Sequence, residues 1–226
     1  MAPPPPIRSV GVLGAGRVGR ALAQLARDAG LAVTIAGSQD AEQITAATTA
    51  DAVILAIPLA KYRTLPAPDL NTALVIDAMN YWWELDGRLP DFEDASTSSS
   101  EVVAAFLEGA RVVKAFNHAS VWELENLAAA PGDPQRRALA VAGDDADDVA
   151  AVAALVDAMG FDPVPAGPLK EGVRFEPNTE AFGADATAQE LQETLDDFWE
   201  SQRGRVVARA RARTTTGMQE PPTSLG

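Results

Sequence analysis

The chain has 226 residues, no cysteine, one histidine and a formal net charge of −14. The lack of cysteine excludes disulfides, thiolate catalysis and cysteine-based metal sites, and one histidine cannot form a histidine-rich site, so we predict no bound metal. The negative charge argues against general binding to nucleic acid or anionic membranes, and no apolar run approaches the roughly 20 residues that span a bilayer. We expect a cytoplasmic protein in which residues 1–6 form a short leader without the features of a signal peptide.

Strand-like and helix-like segments alternate along most of the chain. Short apolar runs predict seven strands, at residues 7–13, 31–36, 52–57, 74–76, 111–116, 139–142 and 161–166. Helical periodicity and helix-start signals predict helices at residues 17–28, 40–48, 99–107 and 145–159. Because the strands are apolar throughout, helices should cover both faces of the sheet. The alternation predicts an α/β fold with a doubly wound parallel sheet over residues 7–177. The acids Asp144 and Asp145 should begin a helix as caps and not bind a metal.

The pattern changes after residue 177, where a C-terminal helical extension is predicted at residues 178–213, followed by a flexible tail at residues 214–226. Residues 187–213 predict one long helix with an apolar stripe at Leu191, Leu195, Phe198 and Trp199. We expect the stripe to be buried, either against the sheet or across a homodimer. The five arginines between residues 203 and 213 fit a solvated helix end, with contact to a phosphate as the alternative.

The sequence GAGRVG fits the pattern G-x-G-x-x-G and lies between the first predicted strand and the first predicted helix. In this context the pattern predicts the turn that binds the pyrophosphate of a dinucleotide in a Rossmann fold, although a purely structural turn is the alternative. The first glycine allows the tight turn, the second lets the backbone approach the pyrophosphate, and the third lets the helix lie close to the strand. Amides at the helix N-terminus then face the anion. The predicted nucleotide-binding residues are Gly14, Ala15, Gly16, Arg17, Val18 and Gly19.

The end of the second predicted strand indicates which dinucleotide is bound. NAD-dependent enzymes usually have an acid there that binds the ribose 2′-hydroxyl, but this chain has Ser38 and Gln39. A hydroxyl and an amide tolerate a 2′-phosphate, although no arginine follows Ser38 and Asp40 lies close by. The sequence therefore favours NADP(H) as cofactor, with Ser38 and Gln39 as contacts of its 2′-phosphate.

The chain resembles the NADP-dependent oxidoreductases that exchange a hydride with the 5-deazaflavin coenzyme F420. The resemblance covers residues 7 to about 177 and rests on the stretches VGVLGAGRVGRALA, AGSQ, DAVILAIPLAKY, RVVKAFNHAS, LAVAGDDADD, AMGFDPVPAGPL and RFEP, in that order. It implies NADP(H) as cofactor and coenzyme F420 as second substrate. The chain departs from the family at Gln39, where the family commonly has arginine, and in its long charged C-terminal part.

The loops that follow the third, fourth and fifth predicted strands supply further candidate contacts, because ligands of such sheets lie beyond the carboxyl ends of the strands. Ile57 and Pro58 should form a wall over the adenosine or pyrophosphate. Lys61 is interpreted as a phosphate contact or a solvated lysine. Asn80 is interpreted as a contact of the nicotinamide amide or a turn asparagine.

Two further positions follow the fifth predicted strand. Asn117 is predicted to contact the cofactor. His118 either donates to the deazaflavin carbonyl or is a structural histidine. The aromatic run at residues 81–83 is interpreted as a platform for a flat ring, as a packing element or as a dimer contact.

No side chain is assigned a catalytic role, because hydride transfer between two rings needs alignment more than acid–base groups. Two alternatives share the nucleotide site. The first is an NADP(H)-dependent reductase of a flavin, ketone or imine, and the lack of an acid–base pair disfavours the ketone or alcohol version. The second is a regulator that senses NADP(H) without turnover.

Overall fold

The computed structural model describes residues 6–217, with side chains up to residue 214. It contains seven strands: β1 Ser9–Leu13, β2 Ala32–Ala36, β3 Ala52–Leu55, β4 Leu74–Asp77, β5 Arg111–Lys114, β6 Ala138–Gly143 and β7 Asp162–Gly167. The α-helices are α1 Arg17–Asp28, α2 Ala41–Thr48, α3 Trp83–Asp86, α4 Ser99–Phe106, α5 Val121–Asn126, α6 Ala146–Ala158, α7 Ala188–Asp197 and α8 Gln202–Gly217. Short 3₁₀ helices occupy Leu59–Thr64, Ala67–Leu70, Pro90–Phe92, Leu169–Phe175 and Phe198–Glu200. Most of the predicted leader and most of the predicted tail lie outside the described residues.

All strands belong to one sheet, in the order β2-β1-β3-β4-β5-β6-β7. The strands β1 to β5 are parallel, as the sequence predicts. The strand β6 runs antiparallel to β5, and β7 is parallel to β6. The sheet is therefore mostly parallel, and its last two strands differ from the prediction. An apolar run carries no signal of strand direction, so the reversal is invisible in the sequence.

Helices cover both faces of the sheet. Apolar side chains of α1, α5 and α6 pack on one face, with Leu22, Leu124 and Leu155 buried among the strand residues. The helices α2 and α4 contribute to a second cluster, which includes Ala47 and Val103. Because both faces are covered, the strands are buried along their length and the ligand-accessible edges are at the strand ends. None of the helices within residues 6–217 is both long and apolar enough to cross a membrane.

The C-terminal segment is broken where the sequence predicts one continuous helix. The helix α7 ends at Asp197, a 3₁₀ turn follows, and α8 begins at Gln202. Ser201 is extended, and its Oγ accepts a hydrogen bond from the Gly204 amide at 3.0 Å, which is a helix N-cap. A Cβ atom on Gly204 would lie 2.0 Å from the Phe198 carbonyl oxygen, so the chain crosses itself closely here. The helix α8 then continues to Gly217, past the predicted start of the tail.

The predicted apolar stripe packs within the chain. Leu191 and Leu195 are buried in a cluster with residues of β6 and β7, and Phe198 packs with Val173 and Val207. Trp199 is partly buried beside them. The stripe is thus packed within the chain, and its first two residues cover the sheet, which was the first of its two predicted roles. At the start of α6, Asp145 accepts hydrogen bonds from the amides of residues 147 and 148, which confirms its interpretation as a cap.

Candidate functional site

The turn between β1 and α1 requires two of its glycines for packing. Gly14 has φ +122°, and a Cβ atom there would lie 2.3 Å from the Ala56 carbonyl oxygen. A Cβ atom on Gly19 would lie 1.8 Å from the Gly14 carbonyl oxygen, so α1 approaches the end of β1 too closely for any side chain. Both positions therefore have the roles predicted for the first and third glycines of the motif.

Gly16 differs from them, because nothing packs against it. It is the N-cap of α1 with φ −74°, a conformation that any residue adopts, and a Cβ atom there would meet no heavy atom within 4 Å. The fold alone therefore does not require glycine here. The open space lies at the N-terminus of a 12-residue helix, where Arg17 and Val18 begin the first turn. Their amides have no partner from a preceding turn of the helix, so this is a place where an anion fits.

A cavity of about 410 Å³ adjoins the turn. It brings together four of the predicted site residues, Gly14, Ser38, Ile57 and Lys61. Its remaining lining residues are Leu13, Ala36, Gly37, Ile44, Thr64, Leu65 and Pro66. The cavity is lined mainly by apolar residues, and two hydroxyl side chains and one lysine lie among them. These groups suit a nucleoside that carries a phosphate.

The remaining predicted residues around this cavity are placed as follows. Gln39 is exposed beside Ser38, and Ala15 is half-buried in the turn. Asp40 caps α2 by accepting a hydrogen bond from the Gln43 amide at 3.0 Å. Pro58 begins the 3₁₀ helix after β3, and its carbonyl accepts a hydrogen bond from the Lys61 amide at 2.9 Å. This turn directs Lys61 to the cavity.

Asn80 and Asn117 are paired at the carboxyl ends of β4 and β5. The Asn80 Nδ2 donates to the Asn117 carbonyl oxygen at 2.6 Å, and the Asn117 Nδ2 donates to the Asn80 Oδ1 at 3.1 Å and to the Phe175 carbonyl oxygen at 2.9 Å. The Asn117 Oδ1 is buried and has no hydrogen-bond partner among the described residues. A buried acceptor without a partner costs free energy, so this atom suits a ligand or water that donates.

His118 is buried in the core. Its Nε2 accepts a hydrogen bond from the Ala140 amide at 2.8 Å, and the ring also forms a hydrogen bond with the backbone of Ala181. The pKa of His118 is lowered to about 4, chiefly because the ring is buried and also because of the charge of Lys114. The ring is therefore neutral at physiological pH, with hydrogen bonds to two backbone groups. These contacts favour the structural role of His118, one of the two roles that the sequence left open. The other was contact with the deazaflavin.

A buried polar network at the ends of β4 and β5 is absent from the sequence-based prediction. Lys114 and Asp77 have no exposed surface. The Lys114 Nζ lies 2.9 Å from the Ser100 Oγ and 3.5 Å from the Asp77 Oδ2, and the Ser100 Oγ donates to the same carboxylate oxygen at 2.5 Å. Asp77 also accepts from the Met79 amide at 2.9 Å, and Lys114 donates to the Met79 carbonyl at 3.4 Å. The ion pair thus holds the backbone directly before Asn80.

The network continues towards the C-terminal helix. Glu176, which is 7% exposed, accepts from the Ser99 amide at 2.7 Å and from the Ser99 Oγ at 2.8 Å. Its other oxygen accepts from Arg203 at 2.8 Å, and Arg203 also donates to the Pro177 carbonyl. The sequence contains one signal for this network. Each of the neighbouring strands β4 and β5 ends in a charged residue, Asp77 in β4 and Lys114 in β5.

The aromatic run at residues 81–83 mainly has a packing role. Tyr81 stacks on Phe92 with a centroid distance of 5.0 Å, and its hydroxyl donates to the Gly87 carbonyl and accepts from the Leu89 amide. Trp82 contacts Phe182 edge-on. Trp83 is 52% exposed, so of the three rings it has the most free surface.

Several arginines of α8 have partners within the chain. Arg203 pairs with Glu176 at 2.8 Å, Arg205 with Glu200 at 3.7 Å and Arg211 with Glu171 at 3.2 Å. In the loop after β3, Arg63 pairs with Asp91 at 2.9 Å. Nearby carboxylates therefore neutralise these arginines, which favours a structural role over contact with a phosphate.

No protein-family profile and no curated protein sequence matches the chain. Solved structures do match it. A hypothetical protein from Sinorhizobium meliloti is 26% identical, with a TM-score of 0.65, over 79% of this chain and 94% of the other. A candidate F420-dependent NADP reductase from Arthrobacter sp. FB24 is 21% identical, with a TM-score of 0.61, over 86% and 94%. A variant of an imine reductase from Myxococcus stipitatus in complex with NAD⁺ is 16% identical, with a TM-score of 0.52, over 96% and 67%.

These likenesses establish the architecture. The protein from Arthrobacter sp. FB24 is named as a reductase of the kind that the sequence stretches resemble. The chain therefore has a Rossmann-like α/β fold with C-terminal helices.

Proposed function

We propose that the protein is an NADP(H)-dependent oxidoreductase and that its second substrate is the deazaflavin coenzyme F420. The observation that supports the first part is the open space in front of Gly16, in the same turn whose Gly14 lines the cavity with Ser38 and Lys61. Gly14 and Gly19 are needed for packing, whereas the glycine at position 16 only leaves room for a ligand. The solved structures of the same fold that are described as F420-dependent, imine-reducing or NAD⁺-bound support a redox function.

The residues of the chain fit NADP(H) along the carboxyl edge of the sheet. The amides of Arg17 and Val18 would bind the pyrophosphate, and Ser38 and Lys61 would bind the 2′-phosphate of the adenosine ribose. At the other end of the site, the unpartnered Asn117 Oδ1 would accept a hydrogen bond from the nicotinamide carboxamide, and Asn80 holds that side chain in place. When bound, the nicotinamide supplies or takes up a hydride. The chain itself binds, orients and excludes water.

The second part of the proposal rests on the sequence resemblance and on the hydrogen bonds that already engage His118 and Tyr81, the two candidate proton donors that follow Asn117 and Asn80. Reduction of a ketone or imine needs a donor close to the acceptor atom. His118 is neutral and its ring is hydrogen-bonded to the backbone, and the Tyr81 hydroxyl already donates to a carbonyl. An acceptor ring that delocalises the incoming charge needs such a donor less. These contacts favour a deazaflavin over a ketone or imine.

Stopped-flow absorbance tests the proposal directly. NADPH in excess should bleach the deazaflavin band of F420 in the presence of the protein, and reduced F420 with NADP⁺ should restore it. Riboflavin and a cyclic imine serve as comparison acceptors. Turnover with the imine but not with F420 would replace the deazaflavin by the alternative acceptor. Tight NADPH binding without turnover of any acceptor would leave the sensor function.

The nucleotide site is tested by Gly16→Val. We expect the variant to fold with an unchanged melting temperature, because the Cβ atom has free space and the backbone conformation suits any residue. The valine side chain would occupy the space of the pyrophosphate, so the dissociation constant of NADPH should rise by at least about tenfold. Fluorescence titration of NADPH measures this. The matched control is Gly19→Val, which should fail to fold. Unchanged NADPH affinity in folded Gly16→Val would refute the assigned site.

The preference for NADPH over NADH is tested at Ser38. The wild-type protein should prefer NADPH modestly, because Ser38 and Lys61 line the cavity and Gln39 replaces the arginine of the family pattern. In Ser38→Asp the new carboxylate would repel a 2′-phosphate and bind a 2′-hydroxyl, so the preference should reverse. Ser38→Asn controls for the change in size. The measurement is the ratio of the two dissociation constants, and equal ratios in wild type and Ser38→Asp would contradict the prediction.

A further inference from the structure

The side-chain amide of Asn117 has an orientation that its two hydrogen bonds fix. Its Nδ2 donates one hydrogen to the Asn80 Oδ1 at 3.1 Å and the other to the Phe175 carbonyl oxygen at 2.9 Å, so both hydrogens are used. With the amide flipped, the Asn117 Oδ1 would face two acceptor oxygens, which excludes that orientation. The contact that we propose between the nicotinamide carboxamide and this oxygen therefore depends on the position of the Phe175 carbonyl.

Side-chain contacts hold the segment that carries this carbonyl. Phe175 ends a 3₁₀ helix, and the two residues that follow it belong to no helix or strand. The Phe175 ring packs edge-on against the His118 ring, with a centroid distance of 5.6 Å. The Glu176 carboxylate accepts hydrogen bonds from the amide and the hydroxyl of Ser99 at 2.7 and 2.8 Å. No strand ladder therefore fixes this segment, and its position is set by the side chains that contact it.

Arg203 links the segment to the C-terminal helix α8. One nitrogen of its guanidinium donates to the Glu176 carboxylate at 2.8 Å, and another donates to the Pro177 carbonyl oxygen. Glu176 and Pro177 are buried, whereas the Arg203 side chain is 33% exposed. A planar guanidinium binds two acceptors in a fixed relative position, which an ammonium group does not do. Arg203 thus fixes both residues that directly follow the Phe175 carbonyl.

We propose that Arg203 is a positioning residue of the nucleotide site, which fixes the Phe175 carbonyl and thereby orients Asn117 for the nicotinamide carboxamide. The inference rests on the proposed function. It predicts a selective defect when Arg203 is replaced. Recognition of the carboxamide should weaken, whereas binding of the adenosine and pyrophosphate should remain, because Gly16 and Ser38 lie in other segments of the fold.

The test compares three ligands of the whole protein by isothermal titration calorimetry. NADP⁺ has a carboxamide that donates hydrogen bonds, 3-acetylpyridine adenine dinucleotide phosphate has a methyl ketone in its place, and 2′-phospho-ADP-ribose lacks the ring. Wild-type protein should bind NADP⁺ about fivefold more tightly than the acetylpyridine analogue, since one hydrogen bond is lost. In Arg203→Met this ratio should fall below about twofold, and the dissociation constant of 2′-phospho-ADP-ribose should change by less than about twofold.

Two further variants serve as comparisons. In Arg203→Lys the charge beside Glu176 remains but the planar fork is lost, so the ratio should lie between those of the wild type and Arg203→Met. Arg205 pairs with Glu200 at 3.7 Å, and both side chains are largely exposed. Arg205→Met should therefore keep the wild-type ratio. If Arg203→Met does not fold, Arg203→Lys decides: a reduced ratio supports the proposal, and the wild-type ratio overturns it.

A wild-type ratio in folded Arg203→Met would overturn the positioning role. An equal loss of affinity for all three ligands would also overturn it, because it would indicate general damage to the fold. Failure of the proposed function appears in the wild-type protein itself. A wild-type protein that binds neither dinucleotide lacks the nucleotide site, and one that binds both dinucleotides equally lacks the Asn117 contact, so that the role of Arg203 is overturned with it.

Discussion

Lys114 and Asp77 illustrate how single buried charges can organise a strand edge. Desolvating both groups is costly, and their attraction offsets this only with additional hydrogen bonds. Ser100 and the Met79 backbone supply those bonds. Gly172 leaves room for the Lys114 side chain, because a Cβ atom at Gly172 would lie 2.8 Å from the Lys114 Cδ. The pair therefore fixes the backbone that leads to Asn80.

Removing one partner should be strongly destabilising. In Lys114→Met the Asp77 carboxylate would remain buried without a counter-charge, and we expect a loss of about 3–5 kcal/mol in the free energy of unfolding. Urea denaturation measures it. The double variant Asp77→Asn/Lys114→Met leaves no buried charge, so it should recover part of the loss. A double variant less stable than the single one would show that the ion pair is not the source of the effect.

At this scale the sequence predicts some residues well and others poorly. The roles of Gly14 and Gly19 follow from a local motif, because a turn of fixed length determines what each glycine must avoid. The Asn80–Asn117 pair and the Lys114 network depend on which strands are neighbours and on how the segment after β7 returns, and the local sequence does not contain that information. His118 illustrates the same limit, since its burial depends on β6 and residue 181.

At the scale of elements, the C-terminal segment shows how an amphipathic pattern can hide a break. The apolar positions of residues 191–199 keep a helical spacing up to the 3₁₀ turn, so periodicity alone predicts one helix. The local signal for the break is the pair Ser201 and Gly204. Ser201 caps the new helix, and the missing side chain of Gly204 lets the backbone of Phe198 come close. The break turns α8 back so that Val207 packs on Val173 and Phe198.

The packing of α7 gives a prediction at the same scale. Leu195 is fully buried between α7 and the sheet, whereas Leu85 is 84% exposed. Leu195→Ala should reduce the free energy of unfolding by about 2–5 kcal/mol, because a cavity would remain in the core. Leu85→Ala should change it by less than about 0.5 kcal/mol. Both are measured by urea denaturation, with light scattering on the folded protein. Dissociation of a dimer by Leu195→Ala, without loss of monomer stability, would contradict the intramolecular packing.

For the whole molecule, His118 makes stability depend on pH in a predictable direction. The pKa of His118 is lowered from 6.5 to about 4 in the folded protein because burial disfavours the charged ring. Below about pH 6.5 the unfolded chain binds a proton that the folded chain does not, so stability is complete above this pH and is lost as pH falls towards 4. Between about pH 6.5 and 5 the loss should reach about 2 kcal/mol.

The measurement compares the pH dependence of unfolding in the wild-type protein and in His118→Gln, since carboxylates titrate equally in both. The slope between about pH 6.5 and 5.5 should be smaller in the variant. NMR titration of the histidine ring in the wild-type protein provides a second measurement that needs no variant, because the chain has one histidine. A ring that titrates near its ordinary value would refute the prediction.

The reversal of direction between β5 and β6 limits where new substrate contacts can arise during evolution. The strand β6 points in the direction opposite to that of β1, so the loop that follows β6 leaves the sheet away from the nucleotide turn. Past β7, the Leu169 amide donates to the Asp144 carboxylate, and the stretch up to Phe175 runs past Lys114 to Asn117. Between this return and residue 217 the chain forms helices and turns and no further strand. Divergence of substrate in this lineage should therefore accumulate in the C-terminal segment, where a change of acceptor disturbs the inherited fold least.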